Sequence, residues 1–297
     1  MGARKVAIAT CAEVRDLDRD APVLADALLT RGIAAQATVW DDPAVDWLAY
    51  ELVIVRSTWD YPRCRDAFLA WAEGLPRVLN CADVLRWNTD KRYLGELAAA
   101  GVPTVPTIFA APGDEAALPE WPEFVIKPTI SVGSADTARW RRGTDDAAAL
   151  AHLRDLHAVG RTAMIQPYLD GVDVAGESAL LFIGGAFSHS VRKAPLLSAG
   201  QEPSPLTIPA DSDDDLYDQI SPREATAVER AVAEQVLAAT PRGAADLLYA
   251  RVDLLPGPDG GPVLLELELT EPSLFLYTAP GSADLLAEAI AQRLGPG

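Results

Sequence analysis

The amino-acid sequence predicts a mixed fold, α/β at its start and α+β beyond. Three observations carry this. Strands and helices alternate over roughly residues 1–85, the signature of a small parallel sheet with crossover helices. From residue 123 short strands follow one another through short turns, with a single alanine-rich helix at 145–158. Near the C-terminus two acidic strands are joined through an Asp-Gly turn.

The elements follow in order. Residues 5–10 are short, apolar and β-rich, a first buried strand. Asp20-Ala21-Pro22 opens a helix, cap first and proline in the first turn, and Gly32 closes it. Strands are expected at 33–39, 52–55 and 76–79, with a helix near Arg65–Glu73. A helix over 89–100 ends at Gly101, and the chain returns as a strand from Val102 to Phe109. Strands at 123–128, 135–140, 162–166, 174–183 and 186–193 come next. Residues 196–220 are polar and carry Pro203, Pro205 and Pro209, which marks a lid or an unstructured segment. A helix at 221–239, the acidic strands and a closing helix at 282–293 complete the chain.

Bulk properties narrow the function. At 297 residues the chain can bury a large core, and 49% apolar with 23% charged residues is ordinary for a globular enzyme. A net charge of −18 argues against nucleic acid and anionic membranes, while leaving room for one nucleotide held by a few lysines. Cys11, Cys64 and Cys81 are odd in number and widely spaced, which points to a reducing cytoplasm. No stretch approaches a membrane span, and the first apolar run is too short for a signal peptide. A homo-oligomer is left open. The P-loop, the dinucleotide glycine fingerprint, the G-x-S-x-G elbow and a His/Cys metal cluster are all missing from the sequence.

The acidic strands carry the most information. Leu265-Glu266-Leu267-Glu268-Leu269 alternates strictly, which sets three leucines on one face and two carboxylates on the other. Ala250-Arg251-Val252-Asp253-Leu254 alternates likewise. If Asp259-Gly260 sets the register, Asp253 faces Glu266 and Arg251 faces Glu268. Carboxylates opposed across a ladder repel by roughly 0.2–1 kcal/mol. Magnesium is the natural compensation, since it takes carboxylate and phosphate oxygens together.

Other features are weaker alone. Lys127 ends the apolar strand 124–128, and Ser131-Val-Gly133-Ser134 after it is a small-residue loop able to wrap phosphates. Asn88-Thr-Asp90-Lys91 opens the helix, with Thr89 or Asp90 a candidate cap. Gln166-Pro-Tyr168-Leu169 ends a buried strand. Arg56-Ser57-Thr58-Trp59-Asp60 follows a buried strand in an α/β sheet, where ligands bind, and Arg56 or Ser57 is expected to meet a substrate carboxylate or amine.

Taken in order, these pieces resemble the ATP-grasp superfamily from about Asn88 to Ser273. The resemblance implies a Rossmann-like substrate domain (1–87), a central lid domain (88–168) and a C-terminal domain with metal-binding strands (169–297). It implies ATP, with Lys91 and Lys127 on its phosphates under a glycine loop of Ser131, Gly133 and Ser134. Gln166, Tyr168 and Leu169 match the hinge that holds adenine, and Asp173 the ribose-binding acid. Arg192 or Lys193 matches the basic residue near the transferred phosphate, and Arg251 the cation that stabilises it. Asp253, Glu266 and Glu268 match ligands of two magnesium ions. Two positions depart from the family pattern: Asp173 stands for a usual Glu, and Glu268 for a usual Asn. Thr10-Cys-Ala-Glu13, Arg56–Tyr61 and Glu266–Pro272 further resemble a small-chain group that includes the cyclo-ligase closing O-ureido-D-serine to D-cycloserine. The implied reaction turns a small amino-acid-like carboxylate into an acyl phosphate that a nitrogen captures, within the same substrate or on a second one as in dipeptide synthesis. A non-catalytic nucleotide-binding protein and a phosphotransferase are the rival classes.

Overall fold

The parallel sheet forms because strands β1 (Arg4–Thr10), β2 (Ile33–Val39), β3 (Leu52–Ser57) and β4 (Val78–Leu79) are joined by helical crossovers. Their order is β2-β1-β3-β4, with all pairs parallel. Every residue of β3 is buried, as a strand covered on both faces requires. This computed structural model describes residues 4–115, 117–195, 197–208 and 218–295.

Two antiparallel sheets follow. The first has the order β5-β8-β6-β7, from β5 (Ile108–Ala110), β6 (Glu123–Pro128), β7 (Ala138–Arg141) and β8 (Ala163–Pro167). The helix Asp146–Ala158 covers it with Ala149, Leu153 and Leu156 against Phe124, Ile126 and Trp140. The second has the order β11-β10-β9-β12-β13, from β9 (Glu177–Ile183), β10 (Ala186–Lys193), β11 (Ile220–Arg223), β12 (Tyr249–Pro256) and β13 (Pro262–Glu268). The closing helix Ser282–Leu294 lies between this sheet and the parallel one: Leu286 and Ile290 share a core with Val6 and Ile8 on one side and Leu181 and Ile183 on the other. No helix among the described residues is long and apolar enough to cross a membrane.

Several expected boundaries move, each for a local reason. The helix expected at 89–100 begins only at Tyr93 and ends at Ala99, and a separate helix, Ala82–Asn88, precedes it, the turn between them presenting Lys91. The strand expected from Val102 to Phe109 shrinks to β5, because Pro103 and Pro106 remove ladder donors. The strand at 135–140 begins only at Ala138, after positive φ at Ser134 and Asp136. Residues 171–175 form a helical turn before β9, and Gly176 follows at φ 74°, where an added Cβ would stand 2.5 Å from the Lys193 carbonyl. The expected helix at 221–239 begins only at Ala227, capped by Thr226 and Glu229, because β11 occupies its start. Asp20 precedes its helix but makes no cap bond. Within the polar stretch 196–220, residues 196 and 209–217 lie outside the described residues, while 197–208 pack over the first antiparallel sheet, with Asp136 N–H donating to the Ser204 carbonyl.

The register of the acidic hairpin matches expectation: Arg251 pairs with Glu268 and Asp253 with Glu266. The turn alone does not set it. Near the turn Pro256 faces Pro262 and Leu254 faces Leu264, one residue out of step, and a bulge between Leu264 and Glu266 restores the pairing. Leu264 thus enters the core with Leu267 and Leu269, whereas Leu265 leaves that face for the cavity described below. The expected trio of leucines on one face is therefore a pair.

The outer edge of β13 is covered by other parts of the chain, which blunts an edge that would otherwise stay open. Val105 N–H donates to the Leu264 carbonyl, and Leu264 N–H to Pro103. Asn88 Nδ2 donates to the Leu267 carbonyl at 2.7 Å, and its Oδ1 accepts from Leu269 N–H at 2.7 Å. Asn88 is buried and acts as a strand substitute that holds Glu266 and Glu268 from behind. Asn88→Ala is expected to cost about 2–4 kcal/mol, since buried backbone groups at 267 and 269 lose their partner. Urea unfolding with an unchanged m-value would measure it; a loss under about 0.5 kcal/mol would show that water replaces the side chain.

Candidate active site

A cavity of about 480 Å³ opens between the two antiparallel sheets. Its apolar end is built by Tyr168 and Leu169, just after β8, with Val172, Leu255 and Leu265. The polar end is lined by Lys91, Lys127, Lys193 and Arg251 and by Glu177, Glu266, Glu268 and Glu271. Ser131, Gly133 and Ser134 arch over it from the β6–β7 loop, where Gly133 and Ser134 both take positive φ. Leu197, Leu206, Thr207 and Ile208 close another side, so the described part of the long polar stretch does lie over the cavity.

Each charge is placed by backbone geometry. Lys91 sits in the break between two helices, its N–H donating to the Thr129 carbonyl, and its ammonium reaches the Ser131 carbonyl (2.7 Å) and Glu266 (3.2 Å). Lys193, at the end of β10, bridges Glu177 and Asp253, the latter at 2.9 Å. Arg251 donates through Nε and Nη2 to Asp253 and also pairs with Glu268. Its guanidinium lies 5.5 Å over the ring of Phe275. Asp253 is 1% exposed beneath these two cations, and does not itself line the cavity.

The pKa shifts follow from burial set against these partners. Burial would raise Asp253, but Arg251 and Lys193 outweigh it and hold the carboxyl far below the usual range. Burial is also opposed at Glu266, where Lys91 and Lys127 keep the carboxylate ionised. For Glu177 burial prevails over Lys193, and its pKa rises to about 7. Lys127 is lowered by burial, against the pull of Glu266.

Among the described residues no three acidic, histidine or cysteine side chains converge as a ready metal centre, since each of the three expected ligands is tied to a cation. Of the three, Glu266 and Glu268 line the cavity and Asp253 is buried behind its cations; their carboxylate oxygens are of the hard kind that magnesium takes.

The structure brings most sequence-derived candidates together and leaves some out. Gln166 lines the cavity and donates to the Thr107 hydroxyl. Asp173 does not line it: its carboxylate accepts from the Tyr168 hydroxyl at 2.5 Å and lies 3.8 Å from Arg139, which stacks on the Tyr168 ring. Of the adjacent pair 192 and 193, only Lys193 faces inward; Arg192 Nε donates to the Ala175 carbonyl on the other face of the strand. Arg56 is also out of reach. It is 2% exposed, bonded to Asp18, Asp20 and the Pro272 carbonyl, and ties the parallel sheet to the loop after β13. Ser57 and Thr58 are fully buried, their hydroxyls without a partner among the described residues, Asp60 accepts from the Trp40 indole, and Trp59 alone of this motif lines the cavity. Sequence reading missed Glu177, Glu271, Ser273 and Phe275; Glu177 is discoverable only as the cross-strand partner of Lys193.

The buried Arg56 cluster yields a pH test. Burial raises Asp18 to about 6 despite Arg56. Asp18 therefore binds its proton more tightly folded than unfolded, and its contribution to stability is lost as pH rises through that value. Arg56→Met is expected to cost about 3–5 kcal/mol near pH 8, where two buried carboxylates lose their counter-ion. Much of the loss should return near pH 5, as Asp18 is protonated. Thermal melts at both values decide it; an equal loss at both would place the effect in packing alone.

Comparison with known proteins gives this cavity its context. The family model described as the N-terminal domain of D-cycloserine synthetase DcsG matches residues 6–80. The cycloserine biosynthesis protein DcsG of Streptomyces lavendulae is 37% identical over 98% of this chain and 99% of that protein. The chain belongs to the D-cycloserine synthetase DcsG family. The crystal structure of D-cycloserine synthetase DcsG superposes with a TM-score of 0.87 at 37% identity, over 98% of this chain and 99% of that one. A RimK domain ATP-grasp protein of Sphaerobacter thermophilus (TM-score 0.64, 18% identity, 98% and 99% covered) shares the fold. So does a D-alanine–D-alanine ligase of Bacillus anthracis solved with ATP (0.63, 14%, 98% and 97%). The fold is the ATP-grasp fold, and this DcsG-family member is an ATP-dependent ligase.

Proposed function

We propose that the chain closes O-ureido-D-serine to D-cycloserine, spending ATP to activate the substrate carboxylate. The observation that carries this reading is 37% identity to a cycloserine biosynthesis protein along essentially the whole of both chains. The cavity supports how it would work. Tyr168 and Leu169, with Val172, Leu255 and Leu265, form an apolar slot suited to adenine, with Gln166 at its side. Lys91 and Lys127, under the loop of Ser131, Gly133 and Ser134, face the place of the triphosphate. Glu266, Glu268 and Asp253 would hold two magnesium ions, their present lysine and arginine partners turning to phosphate oxygens. Magnesium, when bound, neutralises the phosphoryl oxygens during transfer.

In this reading the substrate carboxylate attacks the γ-phosphorus and ADP leaves, with Arg251 and Lys193 balancing the charge. The nitrogen bonded to the side-chain oxygen then attacks the acyl carbon, phosphate leaves, and a five-membered ring closes. Closure within one molecule needs no second substrate site and gains a large effective concentration. The substrate holds one carbamoyl group that the product lacks, so water must then remove that group from the ring nitrogen.

Incubation with magnesium, ATP and O-ureido-D-serine is expected to give D-cycloserine with equal ADP and phosphate, without any added amine. Phosphate release only on addition of a second amine would replace ring closure by intermolecular ligation. A stable phosphorylated product would instead indicate a phosphotransferase.

A further inference from the structure

Four cations and four carboxylates line the cavity, and most are paired. Glu266 has Lys91, Glu177 has Lys193 and Glu268 has Arg251. Two are left without a hydrogen bond or ion pair among the described residues: Lys127 and the carboxylate of Glu271. They belong to different walls. Lys127 is on β6, one strand away from the hinge side chains, where the triphosphate reading uses it. Glu271 follows β13, beside the N-terminal layer, and its carbonyl accepts from the Trp59 indole at 3.0 Å. Trp59 is the one residue of the 56–60 motif that reaches the cavity.

A buried carboxylate is stable only with a counter-charge, and Glu271 is 9% exposed with none. Burial, with Glu268 and Glu266 nearby, pushes its pKa well above the usual range. Lys91 and Arg251 oppose this from a distance but make no bond to it. Among the described residues the cavity is thus short of one positive charge beside Trp59.

We propose that Glu271, with Trp59 as the adjoining wall, holds the α-ammonium of the amino-acid substrate. The inference deepens the ring-closure reading and rests on it. A carboxylate here fixes the amine at one end of the substrate, so that the carboxylate at the same carbon lies toward Arg251 and Lys193. Selection then acts on amino acids over plain carboxylic acids, because an uncharged analogue would leave Glu271 desolvated and unpaired.

The test compares O-ureido-D-serine with its deamino analogue in wild type and Glu271→Gln, an isosteric change. In the variant, KM for the amino substrate is expected to rise on the order of 100-fold, with KM for ATP unchanged, and the preference for the amine to vanish. Retained preference for the amine would overturn the assignment. So would a shift confined to the magnesium requirement, which would make Glu271 a metal ligand. If the wild type fails to turn over O-ureido-D-serine at all, the ring-closure reading fails. Calorimetric titration with D-serine and 3-hydroxypropanoate then decides Glu271: binding that favours D-serine in wild type and not in Glu271→Gln upholds it, and any other pattern overturns it.

Discussion

Arg251→Met is expected to lower phosphate release on the order of 10³-fold and to destabilise the fold by about 3–5 kcal/mol. Arg251 is 7% exposed and its guanidinium holds Asp253 and Glu268 together, so its removal takes the shared cation from two carboxylates in a site largely closed to water. Lys193 still reaches Asp253, which limits the structural loss, but Glu268 keeps no cation bonded to it. The catalytic loss is separate: in the proposed reaction the same fork of donors would balance the charge that spreads in phosphoryl transfer. Arg251→Lys separates the two effects. It keeps a charge but lacks the planar fork, so stability should largely return while activity stays low. Thermal melts beside phosphate release read both. An Arg251→Met variant with full turnover would remove this residue from the proposed chemistry.

Glu266→Gln has the second largest expected effect, a loss of activity on the order of 10²–10³-fold with little change in stability. The carboxylate is a quarter exposed and bonded only to Lys91, and after amide replacement that buried ammonium keeps the Ser131 carbonyl and can still donate to the amide oxygen. Its proposed work is to hold magnesium, for which an amide is a much poorer donor. The magnesium concentration for half-maximal rate should rise about tenfold or more, and excess magnesium should restore part of the rate. Lys91 and Lys127 keep Glu266 ionised at neutral pH, so the deficit should hold constant from about pH 6 to 9. An unchanged magnesium dependence would place Glu266 outside the metal site.

The residues behind these two predictions show what can be read from sequence. Strict alternation at 265–269 and at 250–254 set carboxylates and Arg251 on one face, and the pairing of Asp253 with Glu266 was the one expected from the turn between them. The route to that pairing was not legible. Prolines on both sides of Asp259-Gly260 shift the hairpin by one residue, and the bulge that corrects it moves Leu265 from the core into the cavity. Lys91 was legible as a charge but not as a residue of the turn ahead of the helix, because the expected helix began at 89, whereas contacts to Ser131 and Thr129 hold residues 89–92 outside it.

Arg56 went the other way. An arginine just beyond a buried strand of an α/β sheet reads as a ligand contact, yet Asp18 and Asp20, nearly forty residues earlier, enclose it completely. Nothing local announces such a cluster, since its members meet only when helix Ala21–Thr30 packs beside β3. Arg192 and Lys193 differ for a simpler reason: neighbours on a strand face opposite ways, and only the assembled sheet decides which face is the cavity.

By itself, then, the sequence determined the periodic and covalent features: most of the strands, which charges share a face, and the order of motifs that marks an ATP-grasp chain. Those are set by neighbours two to four residues apart. Only the tertiary structure decided which charges meet. Pairing across the cavity joins groups such as Lys91 and Glu266, or Trp59 and Glu271, separated by well over a hundred residues. Burial then raises the cost of any charge left single, and it is this cost that distinguishes Lys127 and Glu271 from their neighbours.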